Sequence, residues 1–174
     1  MADNYSEINV AENRKVDRKL EMHFVNVGTS EAPVWEILGY GVEDASMALN
    51  HDVSSIVDIL GISHTEVSQA KPQLDLDPMN IRGGQVLSAK LLDIERRNAV
   101  SELRQFEVLN LHAYLGAEAA FLAEKHVNCT IVPQSLGGSS YVIMPLNVHL
   151  SNDKVLGTAT VKDGVPTFTP ETTE

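Results

Sequence analysis

Basic residues are scarce in this chain: 13 Lys+Arg stand against 24 Asp+Glu, a formal net charge of −11 over 174 residues. Binding to a phosphate backbone needs clustered Lys and Arg, so the balance argues against a nucleic-acid-binding module. Cysteine is rarer still. With Cys129 alone, an intrachain disulfide and a thiolate-rich zinc site are both excluded. Long apolar runs are missing too, and none approaches the ~20 residues a membrane-crossing helix needs. The opening Met1-Ala2-Asp3-Asn4-Tyr5-Ser6-Glu7 has no basic start and no apolar stretch. A soluble protein without a signal peptide, made in the cytoplasm, is therefore expected.

Catalytic and ligand-binding spacings are equally thin. The six histidines (His23, His51, His64, His112, His126 and His149) show no HxH, HxxxH or HExxH spacing, so the expectation is no metal site and no cofactor. Asp75 and Asp77 share a strand face and suit a solvated surface better than a cation or acid–base pair. The glycine-rich stretch at 135–140 lacks the Lys-Ser/Thr ending of a phosphate loop and precedes no helix, which leaves a wide turn. Gly83-Gly84 does precede a helix, where free amides can hold an anion, but a turn explains it without a dinucleotide fingerprint. Cys129 alternates with Val127 and Ile131, as a core residue would. No GxSxG motif or triad order is present, so no catalytic residue is assigned and an enzyme is not expected.

What is present is an ordinary globular composition, 43% hydrophobic and 21% charged, in a length that suits one domain. Residues 1–19 lack apolar periodicity and are expected to form a flexible arm. Leu20, Met22 and Phe24 then alternate as on a half-buried strand. Residues 34–39 return after a turn at Gly28-Thr29-Ser30, and 46–50 suggest a third strand. Residues 52–60 fit a helical face through Val53, Ile56, Val57 and Leu60, but their β-branched content favours a strand or long hairpin. Short strands follow at 66–69 and 74–77, bounded by Pro72 and Pro78.

One helix is clear, over about 84–97, with Leu87, Leu91 and Ile94 on its apolar face and Arg96 and Arg97 in its last turn. Residues 106–114 are apolar on both faces and read as a buried strand. Residues 117–125 suggest a short helix or an irregular insertion, and 126–133 a strand with Val127, Cys129 and Ile131 on one side. Residues 141–150 alternate without a break through Val142, Met144, Leu146, Val148 and Leu150. Pro145 inside that run predicts an edge strand or a bulge. Ser151-Asn152-Asp153 is expected to turn the chain so that 154–162 returns as its hairpin partner. Asp163-Gly164 turns again before 165–169, and 170–174 form a loose tail. The sum is an α+β, mainly-β domain over 20–169: two packed antiparallel sheets, sandwich- or barrel-like, with one flanking helix.

Three stretches resemble the major tail proteins, or tail tube proteins, of long-tailed bacteriophages of the siphophage type. The first is Val57-Asp58-Ile59-Leu60-Gly61-Ile62-Ser63-His64-Thr65-Glu66-Val67, like that family's DILG…T.V segment, followed by a Leu-x-Leu-Asp-Pro run ending at Pro78. The second is the helix end Leu92-Asp93-Ile94-Glu95-Arg96-Arg97 with the strand around Glu107-Val108. The third runs from Tyr141 through Pro145 and His149 to Asn152-Asp153-Lys154-Val155-Leu156-Gly157-Thr158, like the family's Y.IPF.VH…GN.V.GT ending. The Ala-rich stretch 116–124 departs from the pattern. The resemblance implies a phage tail tube fold whose subunits form hexameric rings that stack into a conduit for DNA. It also implies a virion location after synthesis in the host cytoplasm. Implied partners are the chain itself, a tape measure protein, a tail terminator and distal tail proteins, with DNA passing through the lumen unbound and no membrane contact. The arm and residues 42–69 are the natural contacts between rings. Contractile or secretion-type tubes, head–tail connectors, decoration proteins and a monomeric β-sandwich binding module are the alternatives.

Overall fold

The computed structural model describes residues 8–117 and 120–171. Among these the elements are β1 (Glu21–Asn26), β2 (Trp35–Ile37), β3 (Met47–Ala48), β4 (Val53–Val57), β5 (Ser63–Val67) and β6 (Gln73–Leu76). Then come the helix α1 (Val86–Arg97), β7 (Phe106–Ala117), β8 (Ala120–Pro133), β9 (Leu146–His149), β10 (Lys154–Lys162) and β11 (Val165–Pro170). The mainly-β expectation with one helix holds. Antiparallel pairing runs β2-β1-β7-β8-β9-β6-β3, with β10 and β11 branching from β8, while β4 and β5 pair only with each other. The two layers are therefore halves of one curled sheet joined along β8.

Strand parity divides the interior in two. On β1 and β7, Val25 and Val108 point to one side, where they meet Leu87, Leu91 and Ile94 of α1 and Leu74, Ile131, Leu146 and Val148 of the β6-β9-β8 half. Phe24, Leu109 and Leu111 point to the other side and pack with Ala123, Ala159 and Phe168. That second core lies inside a six-stranded curl, β2-β1-β7-β8-β10-β11, whose outer strands approach each other. The helix starts at Val86, two residues later than about 84. Its first amides, of Val86 and Leu87, donate to the Glu36 carboxylate on β2 at 2.9 and 3.2 Å. A carboxylate there also suits the helix dipole. Asn98, left-handed at φ 53°, ends the helix.

Four expectations within 117–162 need correction. Among the described residues of 117–125 there is no helix: Ala117 ends β7, and 120–125 are strand, paired to β7. Alanine suits the site because Ala123 stands between Leu111 and Gly157 across the curl, where a larger side chain would crowd its interior. Residues 141–150 are not an edge strand. The ladder begins at Leu146, after Pro145, so the missing N–H costs nothing, and β9 lies inside the sheet between β6 and β8. Residues 154–162 do not pair with it. Ser151-Asn152-Asp153 continue forward, so β9 and β10 both run along β8, and the Ser151 hydroxyl donates to the Val127 carbonyl at the break. Lastly, Val127 does not share a side with Cys129. Asn128 at φ 56° bulges β8, and His126 takes the buried position instead.

The arm and tail fall partly outside the described residues, at 1–7 and 172–174. Of the remainder, Ile8 bridges Leu115, and Asn9 donates from Nδ2 to the carbonyls of Ala113 and Gly116. Pro170 belongs to β11 rather than a loose tail, and the Glu171 amide bonds the Leu156 carbonyl.

Candidate functional site

The β4–β5 hairpin is the most exposed apolar structure among the described residues. Val53 faces Val67, Ser55 faces Thr65 and Val57 faces Ser63 on one side, with Ile56 opposite His64 on the other. Every residue of both strands is exposed. Of the strand or hairpin expected over 52–60, the strand is present as β4, and its hairpin partner β5 begins at Ser63, ahead of the separate strand expected at 66–69. Its tip is built by Asp58, whose Oδ1 accepts the amides of Leu60 and Ile62 at 2.8 and 3.0 Å while Oδ2 meets His64 Nε2 at 2.9 Å. Gly61, at φ +75°, closes the turn. These bonds hold Ile59 and Leu60 outward, at 103% and 77% exposure. The His64 hydrogen bond, followed by the Ile62 amide, keeps the Asp58 carboxyl below its usual range. A two-stranded hairpin with no packed face is marginal alone, and a contiguous apolar patch marks an interaction surface.

A second feature is the seam between β2 and β11, where a pocket of about 640 Å³ is lined by Trp35, Pro33, Val155, Pro166, Phe168 and Lys125. Glu107 on its wall is satisfied by Asn26 Nδ2 and Ser30 Oγ. Lys125 makes no ion pair among the described residues. The free edge of β11 is shielded. The Glu171 amide bonds Leu156 and the two-residue turn pairs Lys162 with Val165, so alternation turns Pro166, Phe168 and Pro170 to the open side. Two of those three have no N–H to offer, which discourages strand addition there.

The third feature is a polar patch below α1, on the β1-β7-β8 face that carries Val25 and Val108 higher up. His23 Nδ1 lies 2.9 Å from Asn110 Oδ1, and His112 Nδ1 lies 2.7 Å from Glu21 Oε2. Lys154 Nζ reaches both Glu124 oxygens at 3.1 Å, and His126 Nδ1 meets the Ser151 carbonyl at 2.7 Å. His126 and Lys154 together hold Glu124 down to about 2. Burial works against ionising Glu21, but the His112 hydrogen bond and charge outweigh it and its pKa falls. Three of the six histidines thus share one face, while His51, His64 and His149 lie elsewhere and exposed. Among the described residues, no three His, Cys, Asp or Glu side chains are grouped to hold a metal ion. The signal for this patch was present in the sequence as i, i+2 polar pairs (Glu21/His23, Asn110/His112, Glu124/His126) on otherwise apolar strands.

The Glu21 hydrogen bond raises His112, whereas burial lowers His23, both from 6.5. The His112 contribution is complete below pH 6.5 and lost as pH rises through its raised folded value. That of His23 runs oppositely, present above 6.5 and lost as pH falls through its lowered value. His112→Gln is therefore expected to flatten the fall in melting temperature above pH 6.5. Melts of both proteins across that range check it, and an unchanged slope would assign the decline to other groups.

The remaining sequence candidates stay apart. Asp75 and Asp77 are exposed, with Asp75 bonded to Gln73 at 2.8 Å. Residues 135–140 form a wide turn closed by the Gly137–Ile143 bridge. Cys129 is fully buried, its thiol pushed up to about 11 by burial.

No family model matches the chain. No curated protein matches it either. Among solved structures, the anti-feeding prophage cap, described as a tube-terminating cap, is 16% identical over 91% of this chain and 100% of its own, at a TM-score of 0.49. The sheath/tube terminator of an extracellular contractile injection system in its extended state is 11% identical over 84% of this chain and 99% of its own, also at 0.49. A chain of the sheath–tube complex of that kind of system is 13% identical over 87% of this chain and 95% of its own, at 0.48.

Proposed function

We propose that this chain is a structural, non-enzymatic subunit of a phage-type tail tube, assembling as hexameric rings that stack into a conduit for DNA. The observation that carries this reading is the β4–β5 hairpin, a projecting apolar element whose strand residues are all exposed, which overlaps the DILG…T.V stretch of the family resemblance. An element so exposed is explained by a partner chain that covers it. The other two stretches of the resemblance fall on the helix that seals one core and on the β9–β10 break at β8. The chain itself is the main partner, with tape measure, terminator and distal tail proteins beside it in the virion. Acidic side chains turned to the lumen would repel phosphates, and DNA would slide without binding.

Electron microscopy of the purified protein at rising concentration is expected to show rings and tubes. A strictly monomeric species by sedimentation, at every concentration and with added salt, would overturn the reading.

A further inference from the structure

We infer that His23 is an acid-released lock on residues 42–45: it keeps them against β1 while its ring is neutral and frees them when the ring takes a second proton. The device belongs to the single chain and does not depend on ring assembly. His23 is only 5% exposed. Its Nδ1 lies 2.9 Å from Asn110 Oδ1, while its Nε2 is buried with no hydrogen-bond partner among the described residues. A neutral ring tolerates this, because it carries one N–H and Asn110 accepts it. A protonated ring carries an N–H at both nitrogens, and the second would be buried, charged and unbonded. His23 lines a cavity of about 270 Å³ together with Leu38, Val42, Ala45 and Leu76. Val42 and Ala45 are only partly buried against the core, so displacing them is the route that lets water reach Nε2.

One cation pins the far end of the segment. Arg18, in the short 3-10 turn Arg18–Leu20, donates from Nε and Nη2 to the Ala45 carbonyl at 3.2 and 3.1 Å, and from Nη1 to the Glu21 carbonyl at 2.6 Å. At the near end the Leu38 amide bonds the His23 carbonyl at 2.8 Å, and the Arg82 guanidinium stacks on Tyr40, 3.3 Å from the ring centroid. A charge on His23 strains the pin twice, by demanding water and by repelling Arg18. The other charges around the ring are engaged. Glu21 on β1 is held by His112 of β7 at 2.7 Å, and Lys19 pairs with Asp17 at 3.5 Å. On β8, Glu124 takes Lys154 and also stands 3.4 Å from His126 Nε2. β6 presents Leu76 to the cavity, and the segment itself brings Glu43, which is exposed. Burial is the main influence on His23 and lowers its pKa, with Arg18 and His112 adding to it against Asn110 and Glu21. Glu21 and Glu124 both lie below the ordinary 4.5, so they stay ionised at pH 5. His112 is raised by Glu21 and takes its proton first. The step between pH 7 and 5 therefore belongs to His23.

Amide hydrogen exchange of the dilute full chain at pH 7 and pH 5, each rate divided by its intrinsic chemical rate, tests the lock. In the wild-type chain the amides of 38–45 should open more often at pH 5. The rise is capped at about thirtyfold, the ratio set by a group that titrates at 6.5 once freed. Amides of β8 and β9 should not follow. His23→Gln, which can still donate to Asn110 but does not titrate, should abolish the rise. His112→Gln should keep it. Arg18→Gln removes the pin and should leave 38–45 exchanging fast at pH 7 already. Exchange of 38–45 in the wild-type chain that stays level or slows at pH 5 would overturn the inference, slowing being the mark of Glu43 capturing the charged ring. A His23→Gln chain that keeps the acid rise would overturn it as well. Each of these results leaves the tube reading untouched, because none of them requires a second copy.

Discussion

Replacing Leu146 with alanine is expected to cost about 2–5 kcal/mol of folding stability, the range for a large core side chain cut to a methyl. Leu146 has no exposed surface; it pairs with Leu76 on β6, a member of the same core cluster, and with Pro133 on β8. Both flanking strands are hydrogen-bonded to β9, so the backbone has little freedom to collapse into the cavity. Val142 provides the control. It shares the alternation of the 141–150 run, yet it lies before the ladder and is exposed, so Val142→Ala should stay within about 0.5 kcal/mol. Urea denaturation of the two variants separates the cases. Equal and small effects would place the Leu146 face against solvent.

Gly157→Ala is the second large expected effect, about 1–3 kcal/mol or more, through overpacking. Its φ is not in the left-handed region, so the glycine is required by space. A Cβ there would press against the Thr169 carbonyl oxygen and the Phe168 ring across the β10–β11 pair. The backbone carbonyl cannot step aside without loosening the ladder, and the ring forms one wall of the seam pocket. Trp35, the only tryptophan in the sequence, lines the same pocket, so its fluorescence should shift to the red along with the lower melting temperature. A stable variant with unchanged emission would show that β11 can shift freely.

Much of the fold was legible in the sequence because burial imposes a period. Leu20, Met22 and Phe24 share one core as their spacing indicates, as do Leu87, Leu91 and Ile94 on the helix. The failures have a common cause: period assigns a face, not a neighbour. The alternation of Met144, Leu146 and Val148 was read correctly as a buried side, but it carries no statement that β6, 70 residues earlier, is the pairing strand. Ser151-Asn152-Asp153 has turn-forming residues and is used as a break in a strand that keeps its direction. Residues 120–125 look unlike a strand because the curl needs alanine where Ala123 faces Gly157. The apolar hairpin was visible as β-branched residues. Its tip needed the Asp58 hydrogen bonds, which spacing does not show.

The place of β11 in chain order carries a consequence for the order of events in the cell. Chains are made N-terminus first, so β1 and β2 leave the ribosome long before β11 (Val165–Pro170), the strand that approaches β2 across the curl, exists. Phe24 and Leu20 therefore wait for Phe168, and the second core closes only when the last strand of the fold has been read.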